Sequence, residues 1–178
     1  IDLFARTGTG VAHCPCSNMR LASGIAPVRR MLDSGMKIGL GVDGSASNDS
    51  GHMLNEARQA MLLQRVNQGG DAMTAREALA TATRGGASVL GRDDIGMLAP
   101  GCAADITAFD RRSIDFAGSD WDPLASLVFC GPVKAGYTII NGRIVVAEGR
   151  LATMEMDRLL SRHAAMSHDL MQRAGLAG

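Results

Sequence analysis

The chain has 178 residues, 46% of them hydrophobic and 20% charged, with 18 basic residues balanced by 18 acidic ones. That balance excludes a disordered chain, and zero net charge leaves no electrostatic footprint for nucleic acid or an anionic membrane. No apolar run approaches the roughly 20 residues of a membrane-spanning helix, and Ile1 to Thr7 lacks the basic start and apolar core of a signal peptide, so the expected location is the cytoplasm.

Asp2 to Arg6 reads as the end of a helix followed by Gly8 and Gly10, so the chain is expected to open in mid-fold. Gly10 to His13 is a short apolar run bounded by glycine and Pro15, which suits a strand buried on both faces. Pro15 to Ser23 is read as a polar loop. Ala26 to Ser34 places Val28, Met31 and Leu32 at helical spacing and stops at Gly35. Lys37 to Asp43 is a second apolar run with a carboxylate at its carboxyl end. Strand, helix, strand with short loops predicts parallel strands joined by a helical crossover, as in a βα barrel or a doubly wound sheet. In both architectures the chemistry sits at the carboxyl ends of the strands. Asp43 and the loop from His13 to Asn18 fall there.

A polar loop from Gly44 to Gly51 leads to a helix over His52 to Val66, with Leu54, Ala57, Met61, Leu62 and Val66 in one stripe. Thr74-x-x-Glu77 matches a capping box and opens a helix through Leu90 that Gly91 stops. The first segment therefore closes near Arg92. Strand spacing then replaces helical spacing. Gly96 to Gly101 is rich in turn residues and leads to a strand over Ala104 to Phe109. Tyr137 to Val146 holds two β-branched runs joined by Asn141-Gly142, the pair that favours a type I′ hairpin. Met154 to Ala174 reads as a terminal amphipathic helix.

Three groups of residues carry candidate chemistry. Asp43, ending an apolar strand, can hold a divalent metal and accept a proton from water that the metal acidifies. It can equally be a turn residue before Gly44. His13, Cys14 and Cys16 gather three potential ligands in four residues, but a closed zinc site needs a second ligand pair, and Cys102 and Cys130 stand alone. All four cysteines are expected as reduced thiols. The run Ser45, Ser47, Asn48, Asp49 and Ser50 reads as solvated. Base-deaminase signatures of the H-x-E and P-C-x-x-C kind, a G-x-S-x-G elbow and a Walker-type phosphate loop are absent.

Four stretches, taken in order, resemble the amidohydrolase superfamily in its triazine hydrolase and guanine deaminase branch. They are H-C-P-C-S-N-M-R-L-A-S-G-I-A-P (His13 to Pro27), G-L-G-V-D-G-S-A-S-N-D (Gly39 to Asp49), A-L-A-T-A-T-R-G-G-A-S-V-L-G (Ala78 to Gly91) and I-G-M-L-A-P-G-C-A-A-D (Ile95 to Asp105). The closing hairpin through Leu151 resembles the end of that superfamily's small β-sandwich. The resemblance implies an α/β fold: residues 1–92 as the carboxyl-terminal portion of a (β/α)8 metal-dependent hydrolase barrel, strands seven and eight with their helices. Residues 93–151 become part of a small β-sandwich domain, and 152–178 a carboxyl-terminal helix. It makes Asp43 both a metal ligand and the proton shuttle, and puts Ser17 and Asn18 at the mouth of the substrate site. His13 matches no ligand of the family.

The resemblance further implies one divalent ion, zinc or else iron. The family's remaining histidine ligands and its glutamate would lie upstream of Ile1, so residues 1–178 alone are expected to be inactive, with the missing amino-terminal portion of the same protein as the obligatory partner. Substrates are expected to be a small-molecule heterocycle and water, and a homo-oligomer is left open. The run from His13 to Gly24 most resembles 8-oxoguanine deaminases, with attack on a ring carbon bearing an exocyclic amine and release of ammonia. Triazine hydrolases and adenosine-type deaminases share the Asp43 segment nearly as well. Two other readings stand beside these: a non-catalytic structural member of the fold, and a free-standing metal module built on His13, Cys14 and Cys16.

Overall fold

A left-handed glycine closes the first helix. In the computed structural model, which describes residues 1–131 and 133–176, α1 spans Asp2–Thr7 and ends at Gly8 with φ of 68°. The Gly8 and Thr9 N–H groups return to the carbonyls of Ala5 and Phe4. The chain then enters β1, Val11–His13, which pairs in parallel with β2, Ile38–Leu40, in the register Val11 to Ile38 and His13 to Leu40. The crossover carries α3, Val28–Asp33, and one element the sequence reading missed. Residues 15–20 form a helix, α2 (Pro15–Arg20), where a polar loop was expected. Pro15 is the reason: a proline at the first helical position has its φ set for the helix and no N–H to leave unpaired.

Helix α4, Met53–Gln68, follows β2 and buries Ala57, Ala60 and Met61 completely. The expected stripe is turned from the actual one: Val66 is 78% exposed, while Glu56 and Gln64 are fully buried in the contact face. Gln64 can be buried because its amide is used at both ends, accepting from the Arg29 N–H at 3.2 Å and donating to the Ala26 carbonyl at 2.9 Å. It thereby ties α4 to the start of α3.

The capping box forms as expected, with Thr74 Oγ1 accepting from the Glu77 N–H at 3.1 Å and Glu77 Oε2 accepting from the Thr74 N–H at 2.8 Å. It opens α5, Ala75–Ala80. The helix does not run unbroken to Leu90. Residues Thr81–Gly85 widen into a π-turn before α6, Gly86–Leu90, resumes and ends at left-handed Gly91. The widening carries Gly85 and Gly86 onto β2. A Cβ at Gly39 would sit 2.8 Å from the Gly86 Cα, and one at Gly85 would strike the Ile38 carbonyl oxygen. Bare backbones are what allow strand and helix to touch here.

A separate antiparallel sheet has the order β3-β4-β5-β6: Ile106–Ala108, Tyr137–Ile140, Arg143–Ala147 and Arg150–Leu151. Asn141 and Gly142 have φ of 47° and 78°, the double positive of the type I′ turn. Glu148 and Gly149, at 50° and 74°, make a second such turn that the sequence reading did not single out. Also unanticipated is α7, Pro123–Phe129, capped by Asp122, whose Oδ1 accepts from the Ala125 N–H at 2.9 Å. It packs against α4 and α5 and places Val128 in the main core. Arg58 donates to the carbonyls of Val128 and Phe129, and the Arg65 guanidinium lies 5.3 Å from the centre of the Phe129 ring. The last element, α8 (Met156–Arg173), buries none of its residues. Among the described residues no helix is long and apolar enough to cross a membrane.

Candidate active site

The parallel pairing continues one step past β2, where the Gly41 N–H donates to the His13 carbonyl at 2.9 Å. Two residues later the backbone turns sharply. Asp43 adopts φ of 59°, a conformation that aspartate tolerates better than most side chains. The turn points the carboxylate away from the core, and Asp43 is exposed at the carboxyl end of β2.

Three donors hold that carboxylate. Ser17 Oγ donates to Oδ2 at 2.7 Å, Ser47 Oγ to the same oxygen at 3.1 Å, and the Gly44 N–H to Oδ1 at 2.8 Å. The Ser17 hydroxyl, followed by the Gly44 N–H and Ser47, holds the Asp43 carboxyl below the usual carboxylate range, since each stabilises only the charged form. Ser17 is 2% exposed. Its hydroxyl proton is committed to Asp43. Asn18 is half-buried on the next residue of the α2 turn.

Below lies a second carboxylate that the sequence reading passed over. Glu56 is fully buried, and its oxygens divide between the two loops above it. Oε2 accepts from the Cys16 N–H at 3.1 Å, and Oε1 accepts from Asn48 Nδ2 at 2.7 Å. Asn48 Nδ2 also donates to the Val42 carbonyl at 2.7 Å. The available signal was spacing: Glu56, Ala60 and Gln64 lie four apart beside Ala57 and Met61, so the acid shares the apolar face. Asn48, read as part of a solvated run, is 6% exposed.

His13, Cys14 and Cys16 do not form a metal site of their own. Burial lowers the His13 pKa, against the pull of Glu56 in the other direction, and His13 Nε2 has no hydrogen-bond partner. Burial, then Asp43 and Glu56, raises the Cys14 thiol, and burial with neighbouring Glu56 pushes Cys16 up to about 12. Both thiols therefore keep their protons, the opposite of what a metal-binding thiolate needs. All four cysteines are free. Among the described residues no three His, Cys, Asp or Glu side chains are grouped to hold an ion. An exposed, ionised carboxylate has the right donor chemistry for a hard or borderline cation, but a catalytic site needs about three protein ligands. Asp43 can be one of them.

A cleft of about 220 Å³ opens beside Asp43, lined by Cys16, Ser47, Asn48 and Asn55, with the 2.6 Å pair of Arg20 and Asp49 on its rim. A larger one, about 560 Å³, lies at the opposite, amino end of β2. Its Arg29 is already engaged by Asp33 and Glu77 at 2.7 and 2.6 Å, and it has no connection with Asp43.

Residues 1–145 match the Amidohydrolase family. The chain belongs to that family. Among amidohydrolase relatives, an 8-oxoguanine deaminase of Pseudomonas aeruginosa is 47% identical over 171 residues, 96% of this chain and 38% of that protein. Among solved structures, an atrazine chlorohydrolase of Arthrobacter aurescens complexed with zinc superposes with a TM-score of 0.86 at 36% identity, covering 92% of this chain and 37% of the other. An adenosine deaminase of Xanthomonas campestris with bound zinc gives 0.89 at 30% identity, with 96% and 39% covered. This amidohydrolase chain thus spans about two fifths of the length of the relatives it matches.

Proposed function

We propose that this chain is the carboxyl-terminal part of a metal-dependent hydrolytic deaminase of a purine-like ring, working together with an amino-terminal portion that supplies the other metal ligands. The observation that carries the reading is Asp43: an exposed carboxylate at the carboxyl end of a parallel strand, held ionised by Ser17, Gly44 and Ser47. Strands β1 and β2 are assigned as strands seven and eight of a (β/α)8 barrel within residues 1–92. Residues 93–151 are assigned to a small β-sandwich and α8 to the terminal helix, the last two residues of the expected 152–178 stretch lying outside the described residues.

In this reading Asp43 is one ligand of a single divalent ion, assigned as zinc, with support from two solved neighbours that hold zinc. The ion, when bound, supplies Lewis acidity at the ring and to water. Asp43 does the proton work. An Oδ atom takes a proton from the attacking water as the new carbon–oxygen bond forms, and returns it to the exocyclic nitrogen as the carbon–nitrogen bond breaks and ammonia leaves. A carboxylate held by donors on both oxygens gives the proton up readily. Ser17 orients Asp43 at the edge of the site, and Asn18 is assigned the contact to the heterocycle. The free cysteines suit a reducing compartment, so the cytoplasm is the assigned location.

The first substrate assigned is 8-oxoguanine, supported by the 47% identity to a deaminase of that name. A triazine hydrolase is the second reading, supported by the TM-score of 0.86 to the atrazine enzyme. Elemental analysis and ammonia release from 8-oxoguanine and guanine, measured on the intact polypeptide and on Asp43→Asn, test the proposal. Near-stoichiometric zinc with turnover that the variant loses supports it. Chloride release from a chlorotriazine without ammonia from purines selects the second reading, and a metal-free, inactive intact protein overturns both.

A further inference from the structure

We infer that Glu56 is a positioning residue: its buried carboxylate clamps the β1–α2 turn to the loop after β2 and so fixes where Asp43 stands. The inference deepens the deaminase reading above and rests on it for the role of Asp43. The two segments belong to different strands and are joined directly by the Ser17 to Asp43 hydrogen bond and, at the exposed rim, by the Arg20 to Asp49 ion pair. Glu56 comes from below, on a third element, and gives one oxygen to each. Oε2 takes the Cys16 N–H, one of the unpaired donors in the first turn of α2, whose Cys14 cap makes no side-chain bond. Oε1 takes Asn48 Nδ2, and the same amide holds the Val42 carbonyl, in the residue before Asp43. The clamp therefore fixes the backbone on the near side of the left-handed Asp43, and Ser17 is carried by the same short helix that Glu56 caps.

Burying a carboxylate is costly, and no arginine or lysine among the described residues pairs with Glu56. Simple filling of that space would be served better by Met or Leu. What Glu56 offers, and neither of those does, is two acceptors aimed at two loops. Burial first, with the neighbouring Glu56 carboxylate adding to it, raises the Cys16 thiol. Gln at this position separates the two roles: its volume is the same, but its amide nitrogen must face either the Cys16 N–H or the Asn48 amide, donor against donor.

The test compares the intact wild-type polypeptide with Glu56→Gln and Asn48→Ala by hydrogen exchange and by steady-state ammonia release from 8-oxoguanine. Glu56→Gln is expected to speed exchange in peptides covering residues 14–21 and 41–50 by about tenfold or more, the loss of one hydrogen bond to a charged group, while residues 57–68 and 137–147 exchange as before. The kcat is expected to fall by a similar factor with KM little changed, the mark of a misplaced group rather than of lost binding. Asn48→Ala, which leaves Glu56 and the core in place, is expected to loosen residues 41–50 alone and to lower kcat less. It carries the test should Glu56→Gln not fold, and unchanged exchange at 41–50 then overturns the clamp. Wild-type exchange in both loops of Glu56→Gln overturns it as well. A wild type that releases no ammonia removes the deaminase reading, while the exchange arms still decide the clamp.

Discussion

The parallel pair and the antiparallel sheet reach order by different means. All three residues of β2 are buried, and the polar groups beneath it, Glu56, Asn48 and Gln64, each serve two elements. No residue within β3, β4, β5 or β6 is buried. That sheet draws its register from turn chemistry at Asn141-Gly142 and Glu148-Gly149. The first region is held by contacts between distant residues and the second by local backbone preference. Chemistry that needs a side chain fixed from several sides belongs in the first.

The largest expected effect sharpens that contrast. In the intact protein Asp43→Asn is expected to lower kcat by about 10²–10⁴-fold, the range for a positioned acid–base group, with only a small fall in melting temperature because the side chain is exposed and its hydrogen bonds are screened by solvent. A stability loss as large as the activity loss would make Asp43 a structural residue.

Glycine substitutions compare the regions directly. Gly85→Ala should gain about 1 kcal/mol of helix propensity, yet its methyl meets the Ile38 carbonyl oxygen, and the net loss is expected at about 3 kcal/mol or more. Gly142→Ala meets open space and should cost only the left-handed strain, about 1–2 kcal/mol. Denaturant unfolding of the two variants checks the order, and equal losses would break the comparison.

Acid sensitivity is a smaller effect. The Thr74 N–H first, with the Arg29 guanidinium and the Thr74 hydroxyl adding to it, holds the Glu77 carboxyl below its ordinary 4.5. A depressed folded pKa contributes stability above that value and loses it as pH falls through the folded pKa. Glu77→Gln keeps a capping acceptor but not the ion pair. It is expected to cost under about 1 kcal/mol near neutrality and to flatten the fall of the melting temperature as pH drops below the ordinary 4.5 of the carboxyl. The smallest effect is at Asp110, whose exposed carboxyl is drawn down to about 2 by Arg112. NMR titration should find the Asp110 carboxyl below the ordinary carboxylate range, and Asp110→Asn should lower the melting temperature only slightly, because solvent screens the exposed pair.

Legibility followed the same division. Thr74-x-x-Glu77 and Asn141-Gly142 announce themselves because their physics is local, a reciprocal pair of hydrogen bonds and two positive φ values. The strand carrying Asp43 was legible from its apolar run. Helix α2 was not, since residues 15–20 bury too little in sequence to show a period, and Pro15 serves equally well to end a strand or to start a helix. Glu56 escaped because an acid on an amphipathic helix is usually solvated. Only the meeting of two loops above it, which no spacing encodes, makes burial tolerable. The role of Ser17 shows the same limit: its place beside the carboxyl ends of the strands was expected, but not the 2.7 Å bond that spends its hydroxyl on Asp43.

The π-turn at Thr81–Gly85 bears on how this segment tolerates changes of length. Removing one residue there, Thr83 for example, would restore a regular α-helix and improve its local hydrogen bonding. It would also turn α5 by about 100° relative to α6. Either α6 would then swing Gly85 and Gly86 off β2, or α5 would lift Ala78 out of the core. A deletion that repairs the helix is therefore expected to be far less tolerated than a one-residue insertion in the exposed Gly69-Gly70 loop, because the widened turn is what lets one helix satisfy two surfaces that are out of phase.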